Sequence, residues 1–486
     1  MCKRQGEVSG TGRGHVEAML ALAIFAAAAA VFYLQPLWSI MARVPASYDE
    51  GWNAYNAAAA IDGGRLYPPP GALIADNYPP VSFYVVGGLG RLIGDNIIAG
   101  RLIALASLVI VAGNVFLVLR ALAAPSLACG FAVLLFLAYT GAFFHGYVAI
   151  DEPQWFGHAL ETGGLVIFLR GRRGRAAGLG LLAPALMVMA GFVKINLVPL
   201  PLAVMIWCTI YDRALLRRWL AIGIALGAAI AIACYLRFGP DFVSDVLLQP
   251  RPYSATRLLI AARKYLGPLF LLIAGGVWLY LRAGDKPPVR LILLWAGLGG
   301  ALGLAFVGGA GVNYNAFFDF AIALCVAAGL LVAELRRDGA RRLPAAVMLL
   351  LAAPPLTRVP GRIAAFAVDF GRAAEQRQAG REDIAFLAAR PGPAACEILA
   401  LCYWAGKAEQ IDFFNTEQKI IEGAVAPDVL IDRLDRRWYG AIALTDNRPR
   451  EEQLPPKVMA RLRANYRLAR VSPNGWTILV PVRAGR

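Results

Sequence analysis

Carboxylates are scarce in this chain, and where they fall is the first clue to chemistry. The stretch Ser47-Tyr48-Asp49-Glu50-Gly51-Trp52 places two of them just beyond the first apolar run. Ser47 and Glu50 have the spacing of a capping box, in which the serine caps a helix and the glutamate reaches back to it. Adjacent residues on a helix do not share a face. A Glu50 taken up by the cap leaves Asp49 free to point elsewhere, and the nearby helix N-terminus keeps it ionised. Such a carboxylate at the level of lipid headgroups can orient and deprotonate a sugar or other hydroxyl. Asp151-Glu152-Pro153 is a second acidic pair before an apolar run. Proline suits a first helical turn and an acid suits the cap, which accounts for one acid and leaves the other.

Cations that could meet an anionic substrate are few outside the arginine clusters. Lys194 stands in a break between two apolar runs. It reads either as a lysine snorkelling to the interface or as a cation holding a lipid phosphate. Arg251, Arg257, Arg263 and Lys264 are further candidates, and their side-chain chemistry does not rank the five. Asn313, Asn315 and Asp319 open a later run, where helix capping and substrate contact are equally good accounts. His158 and Glu161 lie three apart within a span. Ionisable groups there are functional candidates by default, and the alternatives are a mutually satisfied polar pair or a proton path.

The elements that must position these residues are membrane helices. Of 486 residues, 58% are hydrophobic and 16% charged. The apolar runs are continuous rather than alternating, which indicates helices rather than a barrel. The net charge of +16 is carried largely by short loops with Arg170, Arg172, Arg173 and Arg175, then Arg213, Arg217 and Arg218, then Arg282, Lys286 and Arg290, then Arg336, Arg337, Arg341 and Arg342. That is the positive-inside pattern of cytoplasmic loops and argues against a nucleic-acid partner. The run at about 17–40 reads as an uncleaved signal anchor with a cytoplasmic N-terminus. All four clusters fall inside only if the short run 80–93 does not cross, giving about 11 spans. Residues 1–357 then form the membrane domain, with an outer loop 41–95 that includes an amphipathic helix on the membrane surface. The outer face collects Asp49, Asp151, Glu152, Lys194 and Asn313–Asp319.

After a linker at 358–380, residues 381–486 change character. Ala395–Leu401, Ala441–Thr445, Tyr466–Val471 and Trp476–Val482 read as strands, and Asp428–Arg437 and Pro456–Arg463 as helices. The expected fold is thus an α-helical polytopic membrane protein with a small C-terminal α/β domain on the outer face. Cys129, Cys208, Cys234 and Cys325 read as buried hydrophobes. On one strand, Cys396 and Cys402 would stand about 20 Å apart, beyond disulfide reach. His15, His145 and His158 are the only histidines, so a histidine-based zinc site is not expected.

Taken in order over about residues 15–335, five features resemble the glycosyltransferase C superfamily, whose members use polyprenyl-phosphate-linked sugars. They are Asp49-Glu50 after span one, Tyr78-Pro79-Pro80, the Ala99–Leu102 opening, Asp151 with Pro153, and Lys194 in a break between spans. The likeness is to protein O-mannosyltransferases, lipid A aminoarabinose transferases and lipopolysaccharide-core transferases. The resemblance implies a catalytic Asp49, a second acid at Asp151, and donor phosphate held by Lys194 with an arginine near 251–263. Tyr78-Pro79-Pro80 and the first-loop helix would wall the lipid entrance. Relatives often carry Lys or His before Pro-Pro, and Tyr78 departs from that. The chemistry requires no cofactor, although Asp49-Glu50 or Asp151 could hold Mg2+ or Mn2+. The acceptor would be an envelope glycan, lipid or protein on the periplasmic side of the cell inner membrane. Competing readings are a transporter or lipid-glycan flippase using His158 and Glu161, and a non-catalytic scaffold that binds partners through the C-terminal domain.

Overall fold

The computed structural model describes residues 8–171, 182–249, 251–337, 343–445 and 454–482. Arg172, Arg173, Arg175, Arg341 and Arg342 lie outside the described residues. The N-terminal helices are α1 (Val8–Val31), α2 (Leu34–Ser39), α3 (Asp49–Asp62) and α4 (Val81–Ile93). The bundle continues with α5 (Asn96–Ala121), α6 (Ser126–Phe143), α7 (Gln154–Gly171), α8 (Leu182–Gly191), α9 (Pro199–Tyr211) and α10 (Arg213–Phe238). Next come α11 (Pro240–Leu247), α12 (Ala255–Leu266), α13 (Phe270–Ala283), α14 (Pro287–Val307), α15 (Phe318–Arg337) and α16 (Leu343–Leu356). The helix α17 (Val359–Ala388) then leads into the C-terminal domain.

Among the described residues, seven helical segments are long and apolar enough to cross a bilayer. Other expected spans correspond to shorter apolar helices, Met19–Val31, α8 and α9. A further one is the 18-residue α7, which carries His158, Glu161 and Arg170. The centre of the bundle is α15, apolar on all sides and buried along nearly its whole length. A helix hydrophobic all round belongs in the middle of a large bundle. The 13-residue α4 packs against α3 and α5.

The end of α9, the start of α14 and the end of α15 meet at one end of the bundle, where Lys286 pairs with Glu334 at 2.5 Å and Arg290 donates to the Tyr211 hydroxyl at 2.7 Å. Asp49, Tyr78, Tyr147, Arg251 and Asn313 converge with the C-terminal domain on a common cavity.

In the C-terminal domain, β1 (Ala394–Cys396), α18 (Leu399–Trp404), α19 (Phe413–Ile421), α20 (Asp428–Asp435), β2 (Ala441–Thr445), α21 (Pro456–Asn465), β3 (Tyr466–Val471) and β4 (Trp476–Pro481) follow in order. The sheet order is β1-β2-β4-β3. The β1–β2 pair is parallel, as its helical crossover requires, and the other two pairs are antiparallel. One expectation is corrected here. The first strand ends at Cys396, and the chain then turns back into α18. The two cysteines therefore come within 5.8 Å (Cα–Cα) and form a disulfide. The linker stretch lies within the helix Val359–Ala388 from its second residue on.

The outer loop helix also differs from the surface helix expected. Seating on both sides buries Glu50, Gly51, Trp52, Asn53, Ala54, Asn56, Ala57 and Ala60 of α3. One side meets α4 and α5, and the other meets α18. Gly51 permits the second contact, because a Cβ there would lie 2.0 Å from the Ala400 amide nitrogen. Hydrogen bonds extend the seam. The Tyr55 hydroxyl donates to the Lys407 carbonyl (2.6 Å), and the Thr416 hydroxyl to the Leu73 carbonyl (2.7 Å). Lys419 Nζ donates to the carbonyls of Ala72 (3.1 Å) and Ile74 (3.0 Å). The small domain thus grips the loop that carries Asp49.

Candidate functional site

Asp49 and Glu50 open α3 and point in different directions, as neighbours on a helix must. Glu50 is fully buried and makes a two-pronged ion pair with Arg101, Nε to Oε1 at 2.6 Å and Nη2 to Oε2 at 2.8 Å. It also accepts from the Ala46 amide at 2.8 Å. The capping-box reading is therefore corrected. Ser47 Oγ does not cap α3 and instead accepts from the Asp49 amide at 3.4 Å. Arg101 donates further to the carbonyls of Ile40 (3.2 Å), Ala42 (2.7 Å) and Val44 (2.8 Å). One buried guanidinium thus ties down the whole entry to α3.

The neighbours of Arg101 have equally local reasons. A Cβ on Gly100 would lie 1.8 Å from Asp151 Oδ1, so only glycine lets Asp151 approach. Asp151 is buried behind the Glu50–Arg101 pair, beside a space of about 10 Å3. Burial, then the charge of Glu50, push its carboxyl well above the usual range, against the pull of Arg101. Asp151 does not line the main cavity.

Asp49 faces a cavity of about 380 Å3 lined also by Tyr48, Trp52, Asn77, Tyr78, Tyr147, Arg251 and Asn313. The C-terminal domain contributes Glu397, Ile398, Phe414, Asn415 and Thr445 as its roof. The Tyr48 hydroxyl bonds Asp412, which also caps α19 by accepting from the Asn415 amide. The Asp49 carboxyl is pushed up to about 6, first by desolvation and then by the charge of Glu152, with Lys194 opposing. That differs from the fully ionised acid expected of a helix start, because burial outweighs the dipole.

Lys194 sits in the turn between α8 and α9 and is buried. Its ammonium pairs with Glu152 and lies 4.4 Å from the Tyr78 ring centre. Burial alone would lower its pKa, but Glu152 and Tyr78 outweigh that and hold it above the usual lysine range. Glu152 also caps α7, accepting from the Gln154 amide at 2.7 Å. Arg251 reaches the cavity wall, whereas Arg257 and Arg263 do not line it. Arg263 is exposed on α12, and the Arg257 amide is engaged by the Ser254 cap.

Tyr78-Pro79-Pro80 spans two spaces. Tyr78 lines the cavity and stacks edge-on with Trp52 at 4.8 Å, while Pro80 borders a groove of about 400 Å3 with Tyr84, Ile230, Ala233, Arg237 and Phe238. Asn313 lines the cavity and accepts from the Tyr265 hydroxyl at 2.8 Å. Asn315 and Asp319 do not line it. Asn315 donates to Gln154 Oε1 at 3.2 Å, and Asp319 accepts from Trp295 Nε1 at 2.6 Å. His158 and Glu161 face each other at 2.5 Å deep in the bundle. Of the acids that could hold Mg2+ or Mn2+, Asp49 lines the cavity, Glu50 is paired with Arg101 and Asp151 lies behind that pair.

Sequence reasoning missed several residues. Arg101 lies inside the Ala99–Leu102 motif, where a lone arginine in a span signals a buried partner. Tyr48, Glu397, Asn415 and Thr445 had no sequence signal, since they meet across hundreds of residues.

No known family model matches the chain, and no curated protein matches it. Solved structures do. ArnT from Cupriavidus metallidurans bound to undecaprenyl phosphate superposes with a TM-score of 0.63 over 95% of this chain and 98% of that one, at 16% identity. The apo form of the same protein gives a TM-score of 0.64 over 96% and 98% of the two chains, again at 16% identity. The alignment takes in membrane bundle, first loop and C-terminal domain together, and the chain has the fold that ArnT adopts.

Proposed function

We propose that this protein is a membrane glycosyltransferase that moves a sugar from a polyprenyl-phosphate carrier to an envelope acceptor on the outer side of the membrane. The observation that carries it is a cavity lined by Asp49 and Arg251, with the buried Lys194 ammonium against its wall residue Tyr78 and near enough to Asp49 to lower its pKa. ArnT, which shares the fold, has been crystallised with undecaprenyl phosphate. The Pro80 groove offers an apolar bed for an isoprenoid, and Tyr78 leads from it to the cavity.

The reaction is a single displacement. The acceptor hydroxyl gives its proton to Asp49 as its oxygen attacks the anomeric carbon, and the carbon–oxygen bond to the carrier phosphate breaks. Lys194 and Arg251 stabilise the negative charge that collects on the leaving phosphate. Glu152 holds the ammonium in place and shares it when the phosphate arrives. No metal is required for this charge balance.

The test is sugar transfer in proteoliposomes, with a panel of polyprenyl-phosphate sugars and an envelope acceptor fraction. Lys194→Met is combined with Glu152→Gln so that no charge is stranded. Losing one charge-assisted hydrogen bond to the phosphate should lower kcat/KM for the donor about 10- to 100-fold. An unchanged kcat/KM would remove Lys194 from the phosphate site. No transfer by the unaltered protein with any donor would count against the enzyme reading.

The orientation has its own test. Disulfides persist in oxidising compartments, so the Cys396–Cys402 bond supports a periplasmic C-terminal domain. In cells quenched with an alkylating reagent, Cys396 and Cys402 should take label only after reduction. Labelling of both without reduction would place the domain in the cytoplasm.

A further inference from the structure

Among the described residues, one group of three or more His, Cys, Asp or Glu side chains is close enough to share a metal ion. It is His158, Glu161 and Asp319, and one ligand atom from each lies within 4.8 Å of the others. None of the three lines the Asp49 cavity. His158 and Glu161 are fully buried and Asp319 is 4% exposed. They join α7 to α15, the central helix, and Trp155 of α7 stacks on Phe318 beside them at 4.4 Å.

The charges of this group do not balance by themselves. Two carboxylates meet in the bundle interior, where an uncompensated charge costs several kcal/mol. Asp319 Oδ1 takes one hydrogen bond, from Trp295, and Glu161 Oε1 faces His158 Nδ1. Glu161 Oε2 is buried with no hydrogen-bond partner. The nearest other charges, Glu152 and Lys194, are already paired with each other. A divalent cation would bring the site to zero net charge with a neutral histidine.

The surroundings suit a bound ion. A tetrahedral site with bonds of 2.0–2.2 Å sets its ligand atoms about 3.3 Å apart, within reach of small side-chain adjustments here. A metal-bound imidazole usually donates its other N–H to a carbonyl or carboxylate. His158 Nε2 lies 3.1 Å from the Gln154 amide, whose oxygen and nitrogen can exchange places to accept that proton. Gln154 bonds in turn to Asn315, whose amide can turn with it so that its oxygen, otherwise without a partner, accepts from the Gln154 nitrogen.

We infer that His158, Glu161 and Asp319 form an intramembrane site for a divalent transition-metal ion, Zn2+ or Mn2+, that clamps α7 to α15. It is separate from the transfer chemistry proposed above and stands whether or not that reading does. Two carboxylates and one imidazole suit either ion, and an open fourth position is left for water.

The test uses the full chain in detergent or nanodiscs, dialysed against Zn2+ or Mn2+ and then desalted, with metal counted by mass spectrometry. About one ion per chain should remain, falling at least about tenfold in Glu161→Gln and in Asp319→Asn. The retained ion should raise the Tm of the unaltered protein and leave that of the variants unchanged. Should the variants not fold, X-ray absorption on the zinc-loaded unaltered protein decides, with one imidazole among oxygen ligands expected. No retained metal would overturn the site in favour of a carboxyl pair sharing a proton. Equal retention in folded variants, or a coordination shell without imidazole, would overturn it too.

Discussion

Asp49→Asn should abolish sugar transfer and leave the protein folded. Asparagine keeps the shape of the side chain and its place beside Ser47, whose hydroxyl lies 3.3 Å from Asp49 Oδ2. It cannot take up the acceptor's proton. Loss of a general base lowers rates about 10²- to 10⁴-fold, so kcat should fall by that factor with an unchanged Tm in detergent. The pH profile gives an independent reading. Asp49 works as a base only when deprotonated, and burial together with Glu152 raises its pKa to about 6. Activity should therefore fall as pH drops through about 6 and level off above it. Lys194 lowers that pKa, so removing its charge should move the acid limb upward. A folded Asp49→Asn enzyme within tenfold of normal activity would shift the base to another carboxylate, with Glu152 the nearest candidate. A profile flat between pH 5 and 8 would show that no group of this kind limits the rate.

Arg101→Met should be among the most destabilising single changes in the chain. It strands the buried Glu50 carboxylate and leaves the carbonyls of Ile40, Ala42 and Val44 without their donor. Removing one partner of a buried, hydrogen-bonded ion pair costs about 3–5 kcal/mol. The expected result is a large drop in Tm, with transfer lost because the entry to α3 is no longer held. Glu50→Gln combined with Arg101→Met should be less damaging than Arg101→Met alone, since no buried charge then lacks its partner. Arg101→Lys should restore little, because an ammonium cannot present the guanidinium's fork. Wild-type stability in Arg101→Met would show that the loop is held from the C-terminal domain alone.

Strand positions in the C-terminal domain were legible to within a residue or two at β2, β3 and β4, because each is a short apolar run between turn residues. The first strand was not. Ala395–Leu401 is apolar apart from Glu397, and periodicity cannot separate a strand from a strand that turns into a buried helix. Missing that turn hid the disulfide. The capping box failed for a related reason. Its local spacing was right, but a charged partner on α5 competes for Glu50 more strongly than a backbone amide does.

The sequence alone determined the solvent each segment prefers. Apolar runs of bilayer length, arginines in alternate loops and acids after the first span are local features, and they settle which segments are helical and which loops gather the acids. That order of motifs resembles the glycosyltransferase C superfamily, and the fold is the one ArnT has. Tertiary structure decided how the candidates are shared out. It gave Asp49 to the cavity, Glu50 to Arg101 and Asp151 to the space behind them. It also drew Lys194 to Glu152 and set Asp319 beside His158 and Glu161. Buried charges must find partners, and those partners lie 42 to 51 residues away for Lys194 and Arg101. No local pattern encodes such a pairing, because it depends on which helices the packing of the bundle brings side by side.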